Sequence, residues 1–190
     1  MTEQIPFNTS PLPLRLRVED FLLLDESGAF QNYGKTELID GEIFFMNAQH
    51  RPHMMAKSEL AFRIRLALEA MHSDLAVGIE GSFRLSDHDL PEPDILLTNE
   101  PYGQGPVPRG SVALVIEVSD ASLEFDMGRK ATLYATRDVP EYWVVDVNGR
   151  TIHQLWMPRD GAYSERRSIP FGDAIISATI EGLAVSTSTL

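Results

Sequence analysis

Two acidic residues lie inside apolar runs of the kind that form buried strands. Asp94 belongs to "LPEPDILL" at residues 90–97, and Glu117 belongs to "VALVIEVSD" at residues 112–120. A buried carboxylate must be paired, hydrogen-bonded or bound to a cation, because leaving it bare costs roughly several kcal/mol. If the two strands are neighbours, about 5 Å apart, the two acids can converge on one metal ion.

A lysine follows on the next predicted helix. In "DMGRKATLYATRD", helical spacing puts Lys130, Ala131 and Tyr134 on the side that presents apolar surface for packing. The lysine stem can lie along that surface and carry the ammonium toward the two acids. Two acids, a divalent cation and a lysine are sufficient for phosphodiester hydrolysis, because the cation and the lysine stabilise negative charge in the transition state.

The elements that precede these residues are a short helix, a hairpin and a long helix. The short helix is predicted near "RVEDFLLLDE". The hairpin is predicted in "KTELIDGEIFFM", where the pair Asp40-Gly41 favours a type I′ turn. In "HMMAKSELAFRIRLALEAMHSD", apolar residues recur at helical spacing and predict an amphipathic helix.

The rest of the chain alternates strands with one more helix. Three strand-like runs, "GIEGSFRL", "PDILLT" and "VALVIEVS", come first, and the loop "NEPYGQGPVPRG" separates the last two. The second helix ends at Val139-Pro140. A meander of "EYWVVDV", "RTIHQLWM" and "AYSERRSI" follows, in which Tyr142 and Trp143 are expected to fill the core or an oligomer contact. This order predicts an α/β fold with a central mixed sheet flanked by helices and an antiparallel C-terminal extension.

Length and composition set further bounds. The 190 residues predict a single domain, 1–190, in which residues 1–14 form a loose N-terminal arm. The chain has no cysteine, which excludes disulfides and thiolate metal sites and favours the cytoplasm. It has neither a signal-peptide pattern nor an apolar run long enough to cross a bilayer, so we expect a soluble protein without a membrane partner.

The series "ELIDGEI", "EPDILL", "VIEVSD" and "GRKATLYATRDVPEYWVVD" resembles the Uma-type family of endonucleases, a branch of the PD-(D/E)XK nuclease superfamily, over most of the chain. The resemblance implies a restriction-endonuclease-like core that binds Mg²⁺ or Mn²⁺. It implies that Asp94, Glu117 and the backbone carbonyl of Val118 hold the metal. Glu37 matches a recurrent family position, which implies a further metal ligand or an acid that shapes the site.

The chain departs from the standard superfamily motif at the lysine. That motif has a lysine two positions after the second acid, where this chain has Ser119. The resemblance implies that the lysine has moved to the following helix, where Lys130 stands.

Each candidate also has a structural interpretation. Asp94 follows a proline, as turn and strand-start residues commonly do. Glu117 and Lys130 can form a structural ion pair, or Lys130 can be a solvated helix residue. Glu37 can be a polar residue on an exposed hairpin face, and His53 can contact a phosphate from the first turn of the long helix.

The formal net charge of −12 opposes unspecific binding of nucleic acid, so DNA binding requires a local basic patch. The candidates lie on the long helix or beside the acids: Arg51, Lys57, Arg63, Arg65, Arg109 and Arg129. We expect a divalent-metal-dependent DNA endonuclease, which works as a homodimer because two sites cut two strands. The alternatives are an inactive nuclease fold that serves as a binding or assembly module, and an enzyme for small phosphodiesters.

Overall fold

A mixed β-sheet forms the centre of the computed structural model, which describes residues 12–46 and 48–190. Most of the predicted N-terminal arm lies outside the described residues, and residues 12–14 are exposed. The helices are α1 Val18–Glu26, α2 Arg51–Ala70, α3 Leu123–Phe125 and α4 Ala131–Thr136, and a π-helical turn, Asp126–Lys130, joins the last two. The strands are β1 Thr36–Ile39, β2 Glu42–Phe45, β3 Ala76–Ile79, β4 Phe83–Arg84, β5 Ile95–Thr98, β6 Val107–Pro108, β7 Val112–Ser119, β8 Glu141–Asp146, β9 Thr151–Arg159, β10 Ala162–Pro170, β11 Ala174–Ile176 and β12 Ala184–Ser186.

The central sheet has six strands in the order β10-β9-β8-β7-β5-β3. Only β7 and β8 pair in parallel, and the other neighbours in this sheet are antiparallel. A parallel pair needs a crossover, which is supplied here by α3, the π-helical turn and α4. The strands β8, β9 and β10 form the expected meander, so the predicted fold class is confirmed.

Helices cover both faces of the sheet, and β7 is buried along almost its whole length. On one face, Leu60 and Ile64 of α2 pack with Trp143 and with residues of β11 and β12. On the other face, Tyr134 of α4 packs with Tyr142. Tyr142 and Trp143 therefore fill the core, as predicted. Within the described residues, no helix is both long and apolar enough to cross a membrane.

The observed elements differ from the sequence prediction in three places. The run "GIEGSFRL" divides into β3 and β4, because Glu80 adopts a positive φ of 52° and ends the first strand. The strand β4 pairs in parallel with β6, which lies inside the loop that the sequence predicted as a connector. The second helical segment begins at Leu123, earlier than predicted, and ends at Thr136, before Val139-Pro140.

The hairpin turn between β1 and β2 forms at Asp40-Gly41 as predicted, with φ of 52° and 73°. A Cβ at Gly41 would lie 2.6 Å from Arg15 Cβ and 3.0 Å from Leu16 N. We therefore expect Gly41→Ala to lower the free energy of unfolding by about 1–3 kcal/mol, measured by urea denaturation. The control Gly105→Ala has a φ of +84° but no described atom within 4 Å of its new Cβ, so it carries only the backbone strain. Equal losses in the two variants would contradict the close contact.

Candidate active site

The two strand acids lie side by side. The strands β5 and β7 are antiparallel neighbours with Ile95 opposite Ile116, and continuing this register puts Asp94 opposite Glu117. The backbone N–H of Asp94 donates to Glu117 Oε2 (3.4 Å), and the backbone N–H of Val118 donates to Asp94 Oδ2 (2.8 Å). Both side chains are buried. The strand pairing thus brings the two carboxylates together.

Lys130, the last residue of the π-helical turn, points its side chain toward these acids. Lys130 Nζ lies 2.8 Å from Glu117 Oε1 and 3.0 Å from Glu37 Oε2, and the residue is only 2% exposed. The Tyr134 hydroxyl donates to the same Glu117 Oε1 at 2.8 Å. The inward phase predicted for the helix is therefore observed. Glu37 is fully buried, so the interpretation of this residue as an exposed hairpin acid is wrong. Its Oε1 accepts hydrogen bonds from Lys130 Nζ and from the backbone N–H of Glu92.

The same turn brings in an acid that the sequence analysis missed. Asp126 is buried, and its Oδ2 accepts hydrogen bonds from the hydroxyls of Ser119 (2.7 Å) and Ser122 (2.6 Å). Ser119 thus fills the standard lysine position with a hydroxyl that binds Asp126. The sequence could have predicted Asp126 from its spacing, since it lies four residues before Lys130 and residues at that spacing share one side of a helix.

The first turns of α2 supply two basic groups beside Asp94. His53 Nε2 lies 3.2 Å from Asp94 Oδ2, and Lys57 Nζ lies 3.6 Å from Asp94 Oδ1 and 2.6 Å from Glu80 Oε1. Burial would raise the pKa of Asp94, but the hydrogen bond and charge of His53, with Lys35 and the Val118 N–H, outweigh burial and lower it. Asp94 is therefore held ionised.

The pKa of Glu117 shifts in the opposite direction from that of Asp94. Burial raises the pKa of Glu117 to about 8; the charge of Lys130 opposes this shift, and the negative charges of Asp94, Asp126 and Glu37 add to it. Burial lowers the pKa of Lys130, but the negative charges of Glu117, Glu37 and Asp126 outweigh burial and raise it. Lys130 therefore stays charged at neutral pH, while the site retains more negative charge than its lysines neutralise.

A cavity of about 240 Å³ opens onto these groups. Five carboxyl groups and two lysines line it, namely Glu37, Asp94, Glu117, Asp120, Asp126, Lys35 and Lys130. Within residues 12–46 and 48–190, no three His, Asp or Glu side chains are arranged to ligate one ion. Mg²⁺ is usually held by one or two carboxylates and completes its shell with water. Asp94 and Glu117 fit that role, because they are adjacent hard-oxygen donors in a site with excess negative charge.

The six candidate DNA contacts have different surroundings. Lys57 is buried beside Asp94 instead of facing solvent, because Glu80 and Asp94 provide its partners. Arg63 pairs with Glu59 at 2.6 Å, and Arg129 is partly exposed beside the β1–β2 turn. The exposed members are Arg51, Arg65 and Arg109.

Comparisons with known proteins identify a family and a fold. The family model described as "Uma2: Putative restriction endonuclease" matches residues 18–188. A crystal structure from Anabaena variabilis, described as "a putative nuclease belonging to DUF820", is similar with a TM-score of 0.67 and 15% sequence identity, and the match covers 91% of this chain and 96% of that chain. At this identity the likeness shows the fold alone. No match was found among curated proteins.

Proposed function

Because this chain belongs to the Uma2 family, we propose that it is a divalent-metal-dependent endonuclease that hydrolyses phosphodiester bonds in DNA. The observation that carries the proposal is the convergence of Asp94, Glu117 and Lys130 at one cavity. The description of the family and the nuclease-like fold support the same reaction class. Two copies would be needed to cut both strands of a duplex at once, so a homodimer is part of the proposal.

Asp94 and Glu117 would hold the metal, with the Val118 carbonyl and Glu37 as further proposed ligands. A bound Mg²⁺ would act as a Lewis acid that stabilises negative charge on the phosphate. The chain orients both acids in advance: His53 and the Val118 N–H hold Asp94, while Tyr134 holds Glu117. Ligands fixed in this way bind without reordering their side chains.

Lys130 would act on the phosphate and on the attacking water. Its ammonium remains protonated at neutral pH, because the surrounding carboxylates raise its pKa. It is buried between Glu117 and Glu37, so its charge lies in a region of low dielectric, where it acts more strongly than in water.

The pairing of Lys130 also favours a second candidate function. Its ammonium is already paired with Glu117 and Glu37 at 2.8 Å and 3.0 Å. Such an ion triad would equally suit a nuclease fold that has lost cleavage and serves as a binding or assembly module.

Metal binding and cleavage assayed together separate the two functions. We expect calorimetry to detect Mg²⁺ or Mn²⁺ binding to the wild type and not to Asp94→Asn, and only the wild type to nick plasmid or branched DNA. Addition of EDTA should stop the nicking. If a folded wild type neither binds metal at millimolar concentration nor cuts DNA, the result would favour the binding or assembly module over the nuclease. Cleavage of bis(p-nitrophenyl) phosphate without cleavage of DNA would indicate small phosphodiesters as substrates.

A lysine transplant tests the role of Lys130. Lys130→Met keeps a long apolar stem but removes the charge, so we expect cleavage to slow by about 10²–10³-fold. Residues 117 and 119 point to the same side of β7, and Asp126 beside Ser119 would accept a new ammonium. The double variant Ser119→Lys/Lys130→Met should therefore recover part of the cleavage rate at saturating Mg²⁺.

The matched control is Ser119→Met/Lys130→Met, which adds a similar length without a charge and should recover nothing. Thermal melting establishes that each variant is folded. Equal rates in the two double variants would contradict a catalytic charge at this site.

A further inference from the structure

A second, larger cavity continues from the candidate active site. Its volume is about 730 Å³, within the usual range of roughly 300–1,000 Å³ for small-ligand sites. The two cavities share the lining residues Lys35, Phe45, Met46, Ala48 and Gln49. A molecule bound at the acids can therefore extend into the larger cavity, which we call the side cleft.

Two exposed aromatic rings form one wall of the side cleft. Tyr33 and Phe45 are 56% and 60% exposed, and their ring centroids are 5.7 Å apart at an interplanar angle of 52°. The chain next to Tyr33 packs closely on the hairpin, since a Cβ at Gly34 would lie 3.0 Å from the Met46 carbonyl oxygen. The backbone thus holds the two residues beside each other, and each remains more than half exposed. Nucleobases stack on exposed aromatic rings in proteins that bind single strands.

The polar groups of the side cleft suit a base better than a phosphate. Glu80, Glu92, Gln49 and Asn32 line it. The two carboxylates repel a phosphate, but they can accept hydrogen bonds from the amino group of a base, as acidic side chains do from cytosine N4. Burial raises the pKa of Glu92, whereas the hydrogen bond from Lys57 lowers the pKa of Glu80 and favours its ionised form.

A lysine side chain lies at the boundary between the two cavities. Lys35 lines both of them, and its Nζ lies 3.8 Å from Glu37 Oε1. A phosphate beside Lys35 would have the acids and Lys130 on one side and the aromatic wall on the other. This order matches one nucleotide, with its phosphate toward the acids and its base in the side cleft.

We infer that the side cleft binds an unpaired nucleobase next to the phosphate that is cut, with Tyr33 and Phe45 as its stacking wall. The inference rests on the proposed nuclease function and specifies its substrate class. Bases inside a continuous duplex are stacked and paired, so they reach a pocket only after being turned out of the helix. The preferred substrate is therefore DNA with unpaired nucleotides at the cut site: a single strand, a flap or a branch.

Binding measured in EDTA tests the inference without cleavage. We expect Tyr33→Ala/Phe45→Ala to weaken binding of a single-stranded oligonucleotide by about 5- to 150-fold, which corresponds to one stacked base. The affinity for a blunt duplex should not change. Tyr33→Trp/Phe45→Trp should retain single-strand binding. The control Tyr102→Ala removes a fully exposed ring outside the lining of both cavities and should change neither affinity.

A base analogue reports the stacking itself. The fluorescence of 2-aminopurine in the single strand should be quenched by the wild type and not by the double alanine variant. Unchanged single-strand affinity in that variant, or an equal loss for single strands and duplex, would overturn the base pocket. If the wild type still nicks DNA with added metal in that case, the nuclease function stands. Selective single-strand binding that depends on the two rings, in a wild type that never cuts, would support the pocket and reject the nuclease function.

Discussion

Replacing Glu117 by glutamine is expected to abolish metal-dependent DNA cleavage, with a loss of at least about 10³-fold in rate. The substitution removes one of two adjacent metal ligands, because the metal would bind the deprotonated Glu117 carboxylate and displace its proton, which a glutamine cannot reproduce. Glutamine keeps the length of the side chain, and its carbonyl oxygen can still accept from Tyr134 and Lys130. The fold should therefore persist while the chemistry is lost. Affinity for Mg²⁺ should fall by more than the roughly 10–100-fold typical of groups that only orient a metal ligand.

Calorimetric titration with Mg²⁺ and a plasmid-nicking assay on the same samples measure both losses. Glu165→Gln removes the same charge from an exposed position on β10 and should behave as the wild type. A Glu117→Gln protein that binds Mg²⁺ and cuts DNA normally would show that this acid serves only as a partner for Lys130.

Replacing Glu141 by alanine is expected to cause a large loss of stability. The Glu141 carboxylate is buried at the start of β8 and has no cationic partner among the described residues. Instead it accepts hydrogen bonds from side chains on its own strand, on β9 and on the segment between β11 and β12. The donors are Trp143 Nε1, Gln154 Nε2, Ser177 Oγ, Thr179 Oγ1 and the backbone N–H groups of Ala178 and Thr179.

Truncation to alanine leaves these buried donors without an acceptor. Hydrogen bonds to a charged group contribute about 1.5–3 kcal/mol each and are not additive, so we expect a loss of about 3–5 kcal/mol in the free energy of unfolding. Urea denaturation at pH 7 measures it. Glu165→Ala, at the exposed position, should cost far less. A loss below about 1 kcal/mol for Glu141→Ala would show that this network is not important for stability.

The Glu141 network also predicts how stability depends on pH. Burial would raise the pKa of Glu141, but the hydrogen bonds from Ser177, Trp143, Thr179 and Gln154 outweigh burial and lower it. The stabilisation is therefore fully present above the unfolded pKa of about 4.3 and is lost as the pH falls through the lower folded value. Below about pH 4, the wild type should lose stability more steeply than Glu141→Gln, which does not titrate. Parallel pH profiles for the two proteins would contradict this assignment.

Local signals explain why much of the fold was predictable. Dipeptides with a strong turn preference, such as Asp40-Gly41, mark hairpins whatever lies around them. Acids inside apolar strands, such as Asp94 and Glu117, stand out because burial requires a partner. Lys130 was predictable from helical phase, since its neighbours Ala131 and Tyr134 face the sheet.

The site and cleft residues that were not predictable depend on contacts between segments distant in sequence. His53 reaches Asp94 across 41 positions, and nothing in the local sequence of α2 distinguishes it from a capping residue. The burial of Lys57 depends on Glu80 in the same way. Tyr33 and Phe45 belong to separate local patterns, and only the closing of the hairpin puts their rings side by side.

The π-helical turn at Asp126–Lys130 gives the helical segment one place that can absorb a change in chain length. Its hydrogen bonds join residues five apart instead of four, so the turn holds about one residue more than an α-helical turn. Deleting one residue within it would leave an ordinary α-helical turn of similar angular span, and the helical residues on either side would keep their directions. Asp126 and Lys130, which now line the same cavity, would then be three residues apart and still on one side of the helix. Related chains that lack one residue in this turn should therefore still present both groups to the cavity.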